Sequence, residues 1–344
     1  MTAIPPPRKL GSNDPLHIIK TRKLTHGRPV TIAGPMVRYS KLPFRQTCRM
    51  YDTDIVYTPM ILAREFVRNQ QARMTDITTN TSDSPLIVQV GVNNVGDLMK
   101  FVEMVAPFTD GIGINCGCPI REQIREGIGC ALIYNPDLLC DMVKSVKQKY
   151  GDTLRLETKI RIHDDLDTTV DLCLKLCDSG VDWITIHGRT RTTRSSQPAN
   201  IEAIKYIVQK IKHKNVPVVA NGDCFDMEDF KRISEETGVD GVMAVRGVLA
   251  NPALFAGYRV CPWSCVEWFW YWTLEFGGLP FALAQHHLYC MLENMRIKRK
   301  LIKQMMLQRS YPELLDWFDA HFELKRHGDD AFATAIEPPL KEEH

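Results

Sequence analysis

The stretch Gly111-Ile112-Gly113-Ile114-Asn115-Cys116-Gly117-Cys118-Pro119 is a short apolar run closed by two cysteines, a glycine and a proline. Its length and its turn residues suit a buried strand at the point where it leaves a sheet. Gly117 permits close approach of a ligand and Pro119 fixes the following turn, so Cys118 is aimed into a site rather than into a core. The competing reading is a structural thiol, the commoner fate of a strand cysteine. A zinc site is not expected, because Cys173 and Cys177 have no histidine pair nearby and Cys261 and Cys265 flank Trp263.

Outward from this stretch, short β-branched runs alternate with amphipathic ones. The predicted strands are Val30-Pro35, Ile55-Thr58, Leu86-Val90, Gly111-Asn115, Leu156-Ile162, Trp183-His187, Val216-Asn221 and Gly241-Val245. Helical stretches lie between them, among them Leu42-Tyr51, Val95-Ala106, Pro136-Lys149, Thr168-Ser179, Ile201-Lys212 and Met227-Thr237. Eight strands each followed by a helix predict an α/β fold, a parallel sheet closed into a (β/α)8 TIM barrel. The long connections Met60-Ser84 and beyond Pro119 are expected to shape the site.

The chain of 344 residues, 44% of them hydrophobic, suits a barrel at residues 29–258 plus a C-terminal helical domain at 259–324. Residues 1–28, with Pro5-Pro6-Pro7 and scattered bases, are expected to form a flexible arm, and 325–344 a disordered tail. Eleven cysteines without a regular framework, and no charged-then-apolar leader, point to a reducing intracellular compartment, cytoplasmic or shared with the nucleus. A membrane span is excluded: Trp263 to Phe276 falls short of the roughly 20 residues required, and Glu267 and Glu275 interrupt it. With a net charge of only +2, an anionic partner must be met by a local basic surface. A monomer is expected.

In a barrel of this kind the reactive residues sit at the carboxyl ends of the strands. Here those ends carry Pro35-Met36, Gln89, Asn115 to Cys118, Lys159 with Arg161, His187-Gly188-Arg189-Thr190, Asn221-Gly222-Asp223 and Arg246-Gly247. Each alone reads as a solvated or turn residue; their convergence on one rim reads as a site. The glycines after the last two strands, with Arg246, stand where such barrels bind phosphate. Gln89 both donates and accepts, as a pyrimidine-like edge requires, and Lys159 suits negative charge near N1 and C2=O of a reduced flavin. The residues therefore favour an FMN barrel without naming its substrate.

Five ordered motifs narrow the choice. Ala33-Gly34-Pro35-Met36-Val37-Arg38-Tyr39-Ser40-Lys41-Leu42-Pro43-Phe44-Arg45, Asn115 to Pro119, Lys159-Ile160-Arg161-Ile162, His187 to Thr190 and Asn221 to Asp223 together resemble the tRNA-dihydrouridine synthases, over about Thr31 to Tyr258. The run from Met36 to Lys41 and the continuation His163-Asp164-Asp165 are similar to the eukaryotic members acting at D-loop positions 20a and 20b. The resemblance implies FMN-dependent reduction of the C5=C6 bond of a tRNA uridine, with NADPH, or NADH in its place, as reductant. It implies FMN held by Pro35, Met36, Val37, Gln89, Lys159, His187, Asn221, Gly222, Asp223, Val245 and Arg246, with Cys118 as proton donor. Asn115 and Arg161 match positions facing the target base, and Arg189 is expected beside them. Two departures stand out: Val245-Arg246-Gly247 where many relatives carry Gly-Arg-Gly, and Ala33-Gly34 where Ala-Ala or Cys-Ala is frequent.

From Phe281 to Arg309 the pattern predicts one helix, with Arg296, Lys298, Arg299, Lys300, Lys303 and Arg309 against Glu293 alone. Coupled to a nucleotide-modifying barrel, the stripe of Arg296, Arg299, Lys300 and Lys303 is expected to contact tRNA phosphates rather than be a merely solvated face. A barrel acting on a free pyrimidine or small enone would not need it, and an RNA-binding relative without activity would keep it and lose the flavin.

Overall fold

The computed structural model describes residues 8–341; Pro5-Pro6-Pro7 of the expected arm lies outside them. Eight strands form the barrel: β1 (Val30–Ala33), β2 (Ile55–Tyr57), β3 (Leu86–Gly91), β4 (Gly111–Cys116), β5 (Arg155–Arg161), β6 (Trp183–His187), β7 (Val218–Asn221) and β8 (Gly241–Ala244). All pair in parallel with their sequence neighbours, and β1 pairs with β8 through Val30 and Gly241, which closes the sheet. A two-residue strand, Ile61–Leu62, adds to the end of β3 and was not predicted.

Alternation along each strand divides the core in two. Outward residues such as Ile112, Ile114 and Ile160 meet the surrounding helices in one cluster. Inward residues, among them Ile32, Ile55, Tyr57, Ile87, Trp183 and Val219, fill the barrel itself.

That interior is closed at the amino end by a helix, Pro15–His26, whose Ile19 is fully buried among them. Residues 8–28 are therefore a plug and not a loose arm. Asp14 caps this helix and pairs with Arg155 at 2.6 Å, while Arg28 pairs with Asp54 at 2.8 Å. A single apolar face every third or fourth residue is diluted here by lysines and threonines, so periodicity alone hides the helix.

The C-terminal region holds four helices, Trp263–Phe276, Phe281–Asn294, Arg299–Met305 and Tyr311–His321. The first packs on Leu42–Arg49, where Tyr51 Oη donates to Ser264 Oγ at 2.7 Å. Residues 325–341 are also ordered, against expectation. The Trp263 and Ser264 N–H groups, left without partners at the start of a helix, donate to the carbonyls of Ile336 and Ala335. Buried Glu267 accepts from the backbone N–H groups of Lys325 and Ala333.

The predicted helix Phe281 to Arg309 is broken in two. Arg296 takes a left-handed backbone, φ 60°, between the segments, so Arg296 and the cations of Arg299–Met305 do not form one continuous stripe. All four of Arg296, Arg299, Lys300 and Lys303 are exposed.

Candidate active site

The carboxyl ends of the strands open into a cleft of about 290 Å³. On one side Pro35, Val37, Gln89, Asn115 and Cys118 line it, and on the other Lys159, Arg161, His187 and Arg189. Asn221, Gly222, Asp223, Val245 and Arg246 complete the wall. Met36 departs from the expectation: its side chain is buried in the outer core, and only its two neighbours reach the cleft. Arg296, Arg299, Lys300 and Lys303 are not among the cleft's lining residues.

The floor is a chain of amides and one ammonium. Lys159 Nζ donates to Asn221 Oδ1 at 2.7 Å, and Asn221 Nδ2 to Met243 O at 3.0 Å. Asn115 Nδ2 donates to Gln89 Oε1 at 2.8 Å, while Asn115 Oδ1 accepts from the N–H groups of Gly117 and Cys118. Asn115 thus fixes the turn that places the thiol. The Gln89 Nε2 donor is buried and has no partner, a costly arrangement unless a ligand supplies an acceptor.

Cys118 is half-buried at the mouth and Cys116 fully buried on the outward face of β4. Burial raises the Cys118 thiol above its ordinary value, with Arg161 and Lys159 opposing. It is therefore a neutral thiol at physiological pH, the form that gives a proton and not the form that attacks.

Burial and then the surrounding Lys159, Arg161, Arg189 and Arg246 push His187 down to about 2. Arg189 Nη1 stands 3.2 Å from His187 Nε2; a guanidinium only donates, so Nε2 accepts and the ring proton is assigned to Nδ1. His187 is a neutral ring in this site.

Two residues expected to face the substrate line the cleft and also brace it. Arg161 donates to the carbonyls of Gly117 at 2.9 Å and Thr190 at 2.7 Å, joining the turn after β4 to the loop after β6. Arg189, 3% exposed, holds both oxygens of Asp223 at 2.7 Å. Asp223 also holds Arg246, whose Nη1 donates to Ser195 O at 2.9 Å and whose guanidinium lies 5.0 Å from the Phe225 ring centre. Burial raises the Asp223 carboxyl, but Arg189, Ala199 N–H and Arg246 outweigh it and hold it below its ordinary value.

This loop depends on glycine. Gly222 has φ 145° and a Cβ there would lie 2.6 Å from Ala199 Cβ; one at Gly247 would lie 2.3 Å from Cys224 O. The two departures from the family pattern compensate each other. A Cβ at Gly34 would lie 2.8 Å from Val245 Cγ2 and 2.7 Å from Met243 Cγ, so the missing methyl at 34 makes room for the valine at 245. Ser195 and Phe225 were missed: they come from loops with no periodicity, and nothing in their sequence context sets them apart.

A closed parallel barrel with a polar, thiol-bearing cleft at its carboxyl rim is the architecture of a barrel enzyme. Residues 31–343 match the dihydrouridine synthase (Dus) family, and the chain belongs to it. It is 71% identical to the NAD(P)+ tRNA-dihydrouridine(20a/20b) synthase of Saccharomyces cerevisiae, over 98% of this chain and 92% of that one. The enzyme of the same name from Schizosaccharomyces pombe is 45% identical, over 94% of this chain and 97% of its own. A human protein named as similar to that synthase is 44% identical, over 80% of this chain and 85% of its own.

Proposed function

We propose that this chain reduces the C5=C6 bond of uridine to 5,6-dihydrouridine in the D loop of tRNA, at positions 20a and 20b, with NAD(P)H as reductant and FMN as the bound carrier. The observation that carries this reading is a neutral thiol, Cys118, in one cleft with an unpartnered Gln89 amide and a half-buried Lys159. The activity for which these relatives are named, and their identity to this chain over nearly its whole length, support it.

The residues fit FMN. Gln89 Nε2 offers a donor to the pyrimidine edge, Lys159 a cation beside it, and Arg246 with the glycine turns at Gly222 and Gly247 a cradle for phosphate. When bound, the flavin supplies hydride accepted from NAD(P)H to uridine C6. The chain's own task is then the proton. Charge that develops toward C5 and O4 of the uridine is quenched by the Cys118 Sγ–H, while Asn115 keeps the turn in place and Arg161 locks it to the neighbouring loop. His187, held neutral, adds no charge against Lys159.

The target base must leave its stack, at a cost of a few kcal/mol that backbone contacts offset. The exposed cations Arg296, Arg299, Lys300 and Lys303 of the helical region 259–324 supply those contacts, beside a barrel of residues 29–258 working as a monomer in the cytoplasm or also the nucleus. Flavin content tests the site directly. The purified protein should be yellow with non-covalent FMN, and Arg246→Ala should retain markedly less; full retention by that variant would remove Arg246 from the phosphate site.

A further inference from the structure

Below the cleft floor lies a charged residue that the reaction just described does not use. Glu157 is the inward residue two positions before Lys159 on β5, so its carboxyl sits about 7 Å deeper in the barrel on the same face. It is fully buried. Gly113 on the paired strand clears the space: a Cβ there would lie 2.6 Å from Glu157 Oε2. The Tyr57 and Thr185 hydroxyls and the Trp183 indole N–H are its neighbours, yet neither they nor the two carboxyl oxygens reach a partner at full hydrogen-bonding geometry. The rest of that interior layer is apolar, with Ile32, Ile87 and Val219. An acid in such a place costs more than a hydrophobic residue would, and packing gives no reason for it.

We propose that Glu157 is a positioning residue acting through Lys159: it is the counter-charge that sets how much net positive charge the barrel floor presents to the pyrimidine edge of the bound flavin, and so the potential at which that flavin is reduced. The inference rests on the FMN reading above. Burial pushes the Glu157 carboxyl up and the Lys159 ammonium down, and their mutual attraction opposes both shifts. The pair therefore changes its charge near neutrality, whereas the other groups facing it keep theirs. Those groups are Tyr57, Arg161 on the same strand, the Cys116, Cys118 and Cys130 thiols, and neutral His187. Where Glu157 is protonated the floor carries the lysine's charge alone; where it is ionised that charge is neutralised and a reduced, electron-rich flavin is less stabilised.

The test is the midpoint potential of the bound flavin, followed across the neutral range in the flavin-loaded wild type and in Glu157→Gln, which keeps shape and removes the charge. The two curves should coincide on the acid side and separate on the alkaline side, with the variant at the more positive potential. Curves that coincide throughout, or that differ by a constant amount at every pH, would overturn the inference in favour of a purely structural role. Tyr57→Phe provides an independent arm should the glutamine variant not fold. The Tyr57 hydroxyl beside the carboxyl favours its ionised form; without it the carboxyl holds its proton to higher pH, so the downward bend of the wild-type curve should move the same way, and an unmoved bend counts against the proposal. A wild-type protein that binds no flavin would overturn the FMN reading itself, an outcome separate from any of these.

Discussion

At the residue scale the chemistry separates two thiols that stand two positions apart. Cys116 ends β4 facing the helices, whereas Cys118 lies beyond the strand, on a turn held by Asn115 and lining the cleft. Cys118→Ala should therefore keep its flavin and the flavin's reduction by NADPH, and lose nearly all dihydrouridine formation, because only the proton for C5 is removed. Cys116→Ala should lower stability by an amount typical of a small core truncation, about 1 kcal/mol, and leave the reaction intact. Steady-state dihydrouridine formation and NADPH-driven flavin bleaching check both variants; an inactive Cys116→Ala beside an active Cys118→Ala would reverse the assignment. The pH profile follows from the same thiol. Its raised value means the proton stays in place through neutral and mildly alkaline pH, and activity should fall only above the ordinary thiol range. Rim residues such as Gln89, Lys159 and Asn221 were legible because strand ends announce themselves in sequence. The bracing bonds of Arg161 and Arg189 were not: the backbone carbonyls and the carboxylate that they hold come from loops folded back from elsewhere in the chain.

At the scale of elements, one buried ion cluster anchors the long connection between β2 and β3. Arg45 and Arg49 on the helix Leu42–Arg49 pair with Asp83 at 2.6 Å and 3.2 Å, and Asp83 is fully buried. Burial raises the Asp83 carboxyl, but the two arginines overcome it and hold it below its ordinary value. A carboxyl depressed in the folded state adds stability that is complete above its ordinary range and is lost as the pH falls through the lower folded value. Asp83→Asn leaves one buried and one partly buried guanidinium group short of charge, so it should cost about 3–5 kcal/mol at neutral pH, with less of the loss remaining in acid. Urea unfolding at neutral and acid pH measures it, and an equal loss at both would refute the electrostatic account. Strand order and helix placement around this cluster were readable from alternation and amphipathic spacing. The plug Pro15–His26 and the ordered segment 325–341 were not, because what holds them is tertiary: Ile19 inside the barrel, and Glu267 with the free N–H groups of Trp263 and Ser264. The break at Arg296 likewise follows from a left-handed residue that a run of helix-forming lysines and arginines conceals.

For the whole molecule, the proposed function needs both the cleft at the barrel rim and the exposed cations of the C-terminal helical region. Phosphate contacts release counterions, whereas a base held over a flavin does not, so the two parts can be told apart by salt. Changing Arg299 and Lys303 together to Ala should weaken tRNA binding and flatten its salt dependence by about one to two units of slope. Flavin reduction by NADPH should be untouched, and an unaltered slope would leave the cations as a solvated face. The proposed reaction is read out by measuring dihydrouridine at each D-loop position after tRNA lacking the modification is incubated with the flavin-loaded protein and NADPH. Dihydrouridine should form at positions 20a and 20b with the wild type and almost none with Cys118→Ala; a flavin-loaded wild type that oxidises NADPH and leaves every uridine unreduced would contradict the proposed function.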